Sequence, residues 1–534
     1  MTTSKEERYK VFLVDNDKQT NILKLYKKFK KNCVNYLYSE YSFVIHDKAN
    51  QSYFAVRDTI GFKPLYYTIS NNRFYFASDI GDIFKISGIK KEFNFFTMQS
   101  IIFHSTISYS ETMYKNIKRV PPGHYMYVSN NGKCKIERYW KPEEIKINYM
   151  ITEKEAKEQL LTLLDKAIFD RIDDISTTGF ELSGGLDSSS IVSWVKHQKP
   201  QETLTAFSMN FKSMENCDES EYINAMQEKY DINLQNLATD KMDYKHKYSL
   251  ENNYKLNPHW PIFITYTMGF SVVEKAKELG IKTILTGQGG DNVLAGNLYV
   301  LHEYFKHIKW VQLYKELKAL PHPKNMIKRY IILPALGEKN IRRLRAVVYK
   351  IKKNDNRPDI MFQEFSDFYT GNSYVFKFDL SQVLHSTLSV LMESGYYHVA
   401  EKHFGIEFKH PFFDRRLIEF MLTLPPKFKY SEGLSKRLLR IAMKGILPEK
   451  IRQRDDKAEF SEVLRQQIDT IDLDDLLDNS NLSALGLIDQ KKLDKYKEHY
   501  LNGKMKNVVY FWQLINLEYW YRYNFLDDHN LEKR

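Results

Sequence analysis

At 534 residues the chain is too long for one ordinary core, and 43% apolar with 14% aromatic content is ample for burial in two or three domains. Its net charge of +12 comes in short runs such as KKFKK (27–31) and KNIRR (339–343), which read as solvated faces; without zinc-finger spacing, an RNP-like motif or basic heptads, nucleic acid is not an expected partner. Three scattered cysteines with no CxxC pair exclude a disulfide framework and a structural zinc site, and with no apolar run of roughly 18 residues and no signal-like start the expectation is a cytoplasmic protein without a membrane span.

Residues 1–145 read as a β-rich domain. Short alternating runs, YSFVIHD (41–47), SYFAVRD (52–58), PLYYTIS (64–70) and RFYFASD (73–79), are separated by turn signals such as Asn71-Asn72. From 146 to 534 the texture changes. TEKEAKEQLLTLLDKAIFDRI (152–172) has apolar residues at three-and-four spacing behind a Thr cap, with Glu153 and Glu155 in the first turn, and predicts an amphipathic helix. Strand-like TGFELS, LTAFSMNF and IKTILTG then alternate with helix-like SSSIVSWVKH, SEYINAMQEKY and GFSVVEKAKELG. That alternation predicts a doubly wound parallel sheet, so the fold class is α/β with a β-rich N-terminal domain. Helical patterns dominate after 297, ending in the aromatic VVYFWQLINLEYWYRYNFL (508–526), most simply a helix packed on the core.

The chemistry is written in two turns. In ELSGGLDSSSIV (181–192), Gly184 and Gly185 let backbone N–H groups approach a ligand, Ser183, Ser188 and Ser189 add hydroxyls, and a helix N-terminus follows. Together they suit a pyrophosphate. No Lys follows the glycines as in a GxxxxGKS loop, and Asp187 sits where a cation would help, which makes sense if it holds Mg²⁺. The plainer reading is a strand-to-helix turn with a capping Asp. ILTGQGGDNVLAG (284–296) repeats the logic with Asp291, and two strand-end carboxylates can clamp one nucleotide-bound metal.

These residues resemble the ATP-pyrophosphatase type of the asparagine synthetase superfamily, which includes β-lactam synthetase and the lasso-peptide cyclases. The likeness runs from about residue 25 through FVIHDKANQSYFAVRDTIGFKPLYY, MYKNIKRVPPGHYMYV and ERYW. It continues through SGGLDSS, TGQGGD, KHPFFDRRLIEFMLTLPP, SKRLLRIAMKGILPEKIRQRDDKAEFS and the FWQLINLEYWYR tail. It implies a degenerate glutaminase-like N-terminal domain of the N-terminal-nucleophile type, then an ATP-dependent synthetase domain with a helical C-terminal part. In the implied reaction a carboxylate attacks the α-phosphate of ATP, Mg²⁺-pyrophosphate departs and an amine captures the acyl group. The resemblance makes Asp187 and Asp291 the Mg²⁺ ligands, and places Ser183, Gly184, Gly185 and Ser188 on pyrophosphate. Leu182, Phe207, Ser208 and Gly287 fall in the nucleotide pocket, Lys436 faces phosphate, and Lys457 stabilises the charged intermediate of amide formation. A preorganised ammonium beside a developing oxyanion favours that transition state.

Departures from the family narrow the expectation. Position 2 is Thr and no cysteine precedes Cys33, so glutaminase activity is not expected and the amine comes from elsewhere. Gln288 stands where glutamine-dependent members carry Glu and β-lactam synthetase carries Tyr; an amide has no useful basicity, so Gln288 is not the base. Glu393 lies near the β-lactam synthetase glutamate if a two-residue insertion is allowed, and is the candidate base. The pattern is most similar to lasso-peptide cyclases, which imply a precursor core peptide as substrate and a leader-peptide-binding protein and leader protease as partners. An ammonia-using asparagine synthetase, a small-ring lactam synthetase and a non-catalytic nucleotide-binding scaffold are the alternatives.

Overall fold

The computed structural model describes residues 8–13, 16–102, 108–214, 217–239, 242–261, 266–296, 298, 300–318, 320, 323–332, 395–456, 461–505 and 508–526. The N-terminal part contributes strands β1 (Tyr9–Phe12), β2 (Ser42–Asp47), β3 (Ser52–Arg57), β4 (Tyr66–Ser70), β5 (Arg73–Ala77), β6 (Lys118–Arg119), β7 (His124–Val128) and β8 (Cys134–Arg138). Antiparallel pairing arranges them as β1-β2-β3-β7-β8 and β5-β4-β6. The two-residue side-chain period decides what each face meets. On β2 and β3, Phe43, Ile45, Phe54 and Val56 point to the side covered by helix α1 (Asn16–Phe29), with Ile22 and Tyr26. Val44 and Ala55 point the other way and pack on Leu65 and on Tyr67 of the second sheet's β4. The expected β-rich domain is therefore a helix–sheet–sheet stack, and the sequence runs at 41–79 become β2 to β5.

Helix α2 (Glu153–Phe169) starts where the Thr cap predicts. Thr152 Oγ1 accepts from the Glu155 N–H at 3.2 Å, and Glu155 Oε2 accepts from the Thr152 N–H at 2.9 Å, a reciprocal capping box. Beyond it lie β9 (Thr178–Glu181), β10 (Leu204–Asn210), β11 (Ile232–Ala238), β12 (Thr283–Leu285) and β13 (Glu407–Lys409), all parallel in the order β11-β10-β9-β12-β13. The chain winds one way from β9 through β10 to β11, then restarts at β12 on the other side of β9. The gap beyond the carboxyl ends of β9 and β12 is the switch point where such sheets bind ligands. Strands β11 and β13 carry no clear strand signal in the sequence. Both are sheet edges, where one partner and partial burial suffice.

The aromatic C-terminal run forms the helix Val509–Phe525 and joins the main core, with Trp520 fully buried. It also reaches the N-terminal part, where Tyr114 donates its hydroxyl hydrogen to Asn524 Oδ1 at 2.8 Å. No helix among the described residues is long and apolar enough to cross a membrane.

A buried charge cluster ties the two halves. Arg171, at the end of α2, donates to Glu40 Oε1 at 3.2 Å, to Asp414 Oδ2 at 2.9 Å and to the Ala167 carbonyl at 2.9 Å. Burial alone would lower the Arg171 pKa; the two carboxylates outweigh it and raise it. Asp414 is likewise pushed up by burial but held below the usual aspartate value by Arg416 and Arg171. A depressed carboxylate stabilises the fold above its ordinary pKa, and that stability is lost as pH falls through the folded value. Replacing Arg171 by Ala leaves buried Glu40 without its cation and Asp414 with Arg416 alone. We expect Arg171→Ala to cost roughly 3–5 kcal/mol in urea unfolding at neutral pH, and less in acid where Asp414 is protonated.

Candidate active site

After β9 the chain stays in the sheet for one more residue, the Leu182 N–H donating to the Phe207 carbonyl at 2.8 Å. It then turns at Gly184, whose φ of +74° a side chain rarely adopts and where a Cβ would sit 2.8 Å from Tyr222 Cβ. Gly185 begins helix α3 (Leu186–Gln198) without a side-chain cap, so the first N–H groups are left for an anion. The loop is braced from within. Ser188 Oγ accepts from the Ser183 N–H at 3.2 Å and lies 3.1 Å from Ser183 Oγ, which accepts from the Gly185 N–H at 3.3 Å.

The second turn lies directly on the first. A Cβ on Gly287 would fall 2.6 Å from the Ser188 nitrogen, and one on Gly290 would fall 2.1 Å from Asp187 Cγ. Glycine is required there for close contact. The contact brings the two predicted acids together. Lys436 Nζ is 2.5 Å from Asp187 Oδ2 and 2.7 Å from Asp291 Oδ1. Lys436 holds a left-handed backbone (φ 57°), unusual for a lysine. Burial alone would lower its pKa; Asp187 and Asp291 outweigh that and hold it above the ordinary lysine value.

Two hard carboxylates converging on one cationic group fit a divalent cation that takes its remaining ligands from phosphate oxygens and water. Asp187 and Asp291 are the residues that would hold it. Among the described residues no cluster of three or more His, Cys, Asp or Glu side chains offers a metal an all-protein cage.

Over these turns opens a cavity of about 620 Å³. Of the sequence-predicted residues, Ser183, Gly185, Asp187, Ser188, Gly287, Asp291 and Lys436 line it. Leu182, Phe207 and Ser208 are buried in the sheet behind, and Gly184 faces Tyr222. Ser189 is fully buried in α3. Glu393 and Lys457 lie outside the described residues. Gln288 lines the cavity, and Tyr397 donates its hydroxyl hydrogen to Gln288 Oε1. Its own N–H donates to Thr286 Oγ1 at 3.2 Å, and that oxygen lies 2.8 Å from His410 Nδ1.

Several lining residues escaped the sequence reading. Arg454 is nearly buried, donates to Glu219 Oε1 at 2.5 Å and Asp456 Oδ1 at 2.8 Å, and stacks 4.0 Å over the Tyr222 ring. Burial, only partly offset by Arg454, holds the Glu219 pKa above the usual glutamate value. Arg440 donates to the carbonyls of Ser435, Arg452 and Arg454, shaping the same wall. Both arginines belong to the quoted SKRLLR–RDDKAEFS stretch, but an arginine without its partner reads as a solvated residue.

Two family models match the chain in order. One, described as "Glutamine amidotransferase domain", covers residues 5–140, and one described as "Asparagine synthase" covers 159–522. The latter spans more than half of the chain, and the protein belongs to the asparagine synthase family. It is 24% identical over 467 residues to "Asparagine synthetase [glutamine-hydrolyzing] 1" of Bacillus subtilis (strain 168), covering 83% of this chain and 71% of that protein. With asparagine synthetase 3 of the same organism it shares 23% over 523 residues, covering 92% and 79%. With "Amidase chry2" of Gibberella zeae it shares 26% over 312 residues, 54% of this chain and 45% of that one. A solved glutamine phosphoribosylpyrophosphate amidotransferase from B. subtilis aligns over 52% of this chain and 65% of its own at 11% identity, but with a TM-score of 0.18 it carries no argument about fold. Family and relatives support an ATP-dependent amide-forming ligase.

The Gly290 contact generates a direct test. Gly290→Ala drives a methyl group into Asp187 and should cost about 1–3 kcal/mol of overpacking. Calorimetry should show a lowered Tm together with weakened ATP binding.

Proposed function

We propose that the chain adenylates a substrate carboxyl group with ATP, releases pyrophosphate and couples the acyl group to an amine, and that the substrate is a precursor peptide closed into a macrolactam. One observation carries the first part: two glycine turns at the sheet's switch point set Asp187 and Asp291 around a single cationic position above a cavity of about 620 Å³. The Ser183 and Ser188 hydroxyls and the first N–H groups of α3, which have no side-chain cap, hold the leaving pyrophosphate, and Lys436 adds positive charge beside it. Bound Mg²⁺ supplies Lewis-acid charge neutralisation on the phosphates. Lys457 is the group assigned to the oxyanion of amide formation, and Glu393 the acceptor of the amine's proton.

Cys33 supports an amine from the substrate in place of one from glutamine. It is fully buried under α1, and burial pushes its thiol up to about 12, whereas a nucleophilic cysteine needs accessible thiolate. Gln288, an amide held by Tyr397, again sets this turn apart from an acidic one. A peptide that folds back on itself must be held while one carboxyl is activated, so positioning carries much of the rate. A leader-peptide-binding protein and a leader protease would supply such a substrate. The asparagine synthetases among its relatives favour a second reading, an asparagine synthetase; with ammonia as its nitrogen source, or as a small-ring lactam synthetase, the same adenylation site would serve. A non-catalytic scaffold has no use for the paired acids.

The test is incubation with ATP, Mg²⁺ and the candidate core peptide, read by mass spectrometry for loss of one water and by nucleotide analysis for AMP. Asn formed from Asp and ammonia would replace the peptide reading; ADP with orthophosphate would remove the adenylation reading. Asp291→Ala should lower turnover by on the order of 10²–10³, the scale of losing one preorganised electrostatic group. Lys457→Ala should lower kcat by a similar factor with KM for ATP unchanged, as befits a group acting after nucleotide binding.

A further inference from the structure

One face of the molecule combines exposed apolar side chains with a run of exposed lysines. Seventeen large apolar residues are exposed among the described residues, and they are unevenly spread. Met150 is 87% exposed and Trp310 55%, while Ile308, Val311 and Tyr314 are 66–70% exposed. Tyr149, also exposed, joins the two segments: its ring lies 5.2 Å from His307, and its hydroxyl donates to Glu303 Oε2 at 3.0 Å.

Trp310, Val311 and Tyr314 share one stripe of the helix Trp310–Lys318, whose Leu313 and Glu316 are buried on the opposite side. Trp310 stands edge-on to Phe305 at 5.7 Å. Every residue from 305 to 312 is exposed, so the surface is a projecting tip and not a groove. Ile308 holds φ +57°, a strained conformation for a β-branched residue. Among the charged groups of residues 305–318, the exposed ones are Lys306, Lys309, Lys315 and Lys318. The acid Glu316 is turned inward, accepting from the Ser431 hydroxyl and the Glu432 N–H.

We propose that this face seats the protein reversibly on an anionic lipid bilayer. Peptide ligands are taken up in concave slots or along strand edges; residues 305–312 form no strand, and the hollow lined by Tyr149, His307 and Lys309 holds only about 30 Å³, too little for a peptide. A bilayer interface accepts a convex apolar edge, with Trp and Tyr at headgroup depth and lysines reaching past their apolar stems to lipid phosphate. An apolar patch this exposed is unusual on a protein surface that faces only water. The four exposed lysines of residues 305–318 complement an anionic bilayer surface.

The experiment is sedimentation of the full chain with vesicles of phosphatidylcholine alone or of phosphatidylcholine with phosphatidylserine. The chain should sediment with the anionic vesicles and be released by high salt. Trp310→Ser with Val311→Ser should weaken that binding by at least about tenfold, from the apolar burial lost at two positions. The variant should keep the parent Tm, because both side chains are already exposed. Changing Lys306, Lys309, Lys315 and Lys318 to Gln should remove the preference for anionic vesicles. The proposal is overturned by equal binding to neutral vesicles, by no vesicle binding, or by unchanged binding of the double variant. It is also overturned if the patch instead joins two copies of the chain, seen as a dimer that the double variant dissolves, or if it takes an acidic protein in preference to vesicles.

Discussion

The site depends on two carboxylates sharing one positive charge. Asp187 and Asp291 come from turns about a hundred residues apart in sequence, and like charges so close raise each other's pKa unless a cation lies between them. The Lys436 ammonium takes that place, and its backbone adopts a left-handed conformation in doing so. The same pair of acids is the oxygen set that a nucleotide-bound cation requires. The glycines are what allow it: at Gly287 and Gly290 any side chain would separate the turns. Sheet topology supplies the rest, because only strands adjacent at the switch point can deliver two turns to one place.

The N-terminal half buttresses this arrangement. Phe62 stacks on His410 at 4.2 Å, and Glu40 accepts from the His410 N–H at 3.0 Å while also holding Arg171. His410, kept neutral by burial, meets Thr286, which takes the N–H of Gln288. A continuous set of contacts thus runs from the β-rich domain to the turn that carries Asp291. Through these contacts the N-terminal domain braces the neighbouring site.

The legibility of each element followed its burial. The runs at 41–58 are covered on alternate faces by a helix and a second sheet, so their two-residue period was plain, and the Thr152–Glu155 cap marked its helix start. The edges β11 and β13 carried no comparable signal, because pairing with a neighbour holds them in place. The two glycine turns were readable for a related reason, since close approach excludes almost every other residue. Arg440, Arg454 and Glu219 were not, because a charged residue identifies itself only through its partner, and Glu219 and Arg454 are 235 positions apart.

The amino-acid order by itself determined that two phosphate-type turns, each with an acid, follow two strands, and that the chain divides into a β-rich and an α/β part. Local conformation and apolar period carry that information within a few residues. Tertiary structure alone decided that the two acids meet over one lysine, that the predicted Leu182, Phe207 and Ser208 lie behind the cavity wall, and that an arginine pinned by a distant glutamate forms part of that wall. Those outcomes depend on which strands become neighbours, and neighbours are chosen by the packing of the whole sheet.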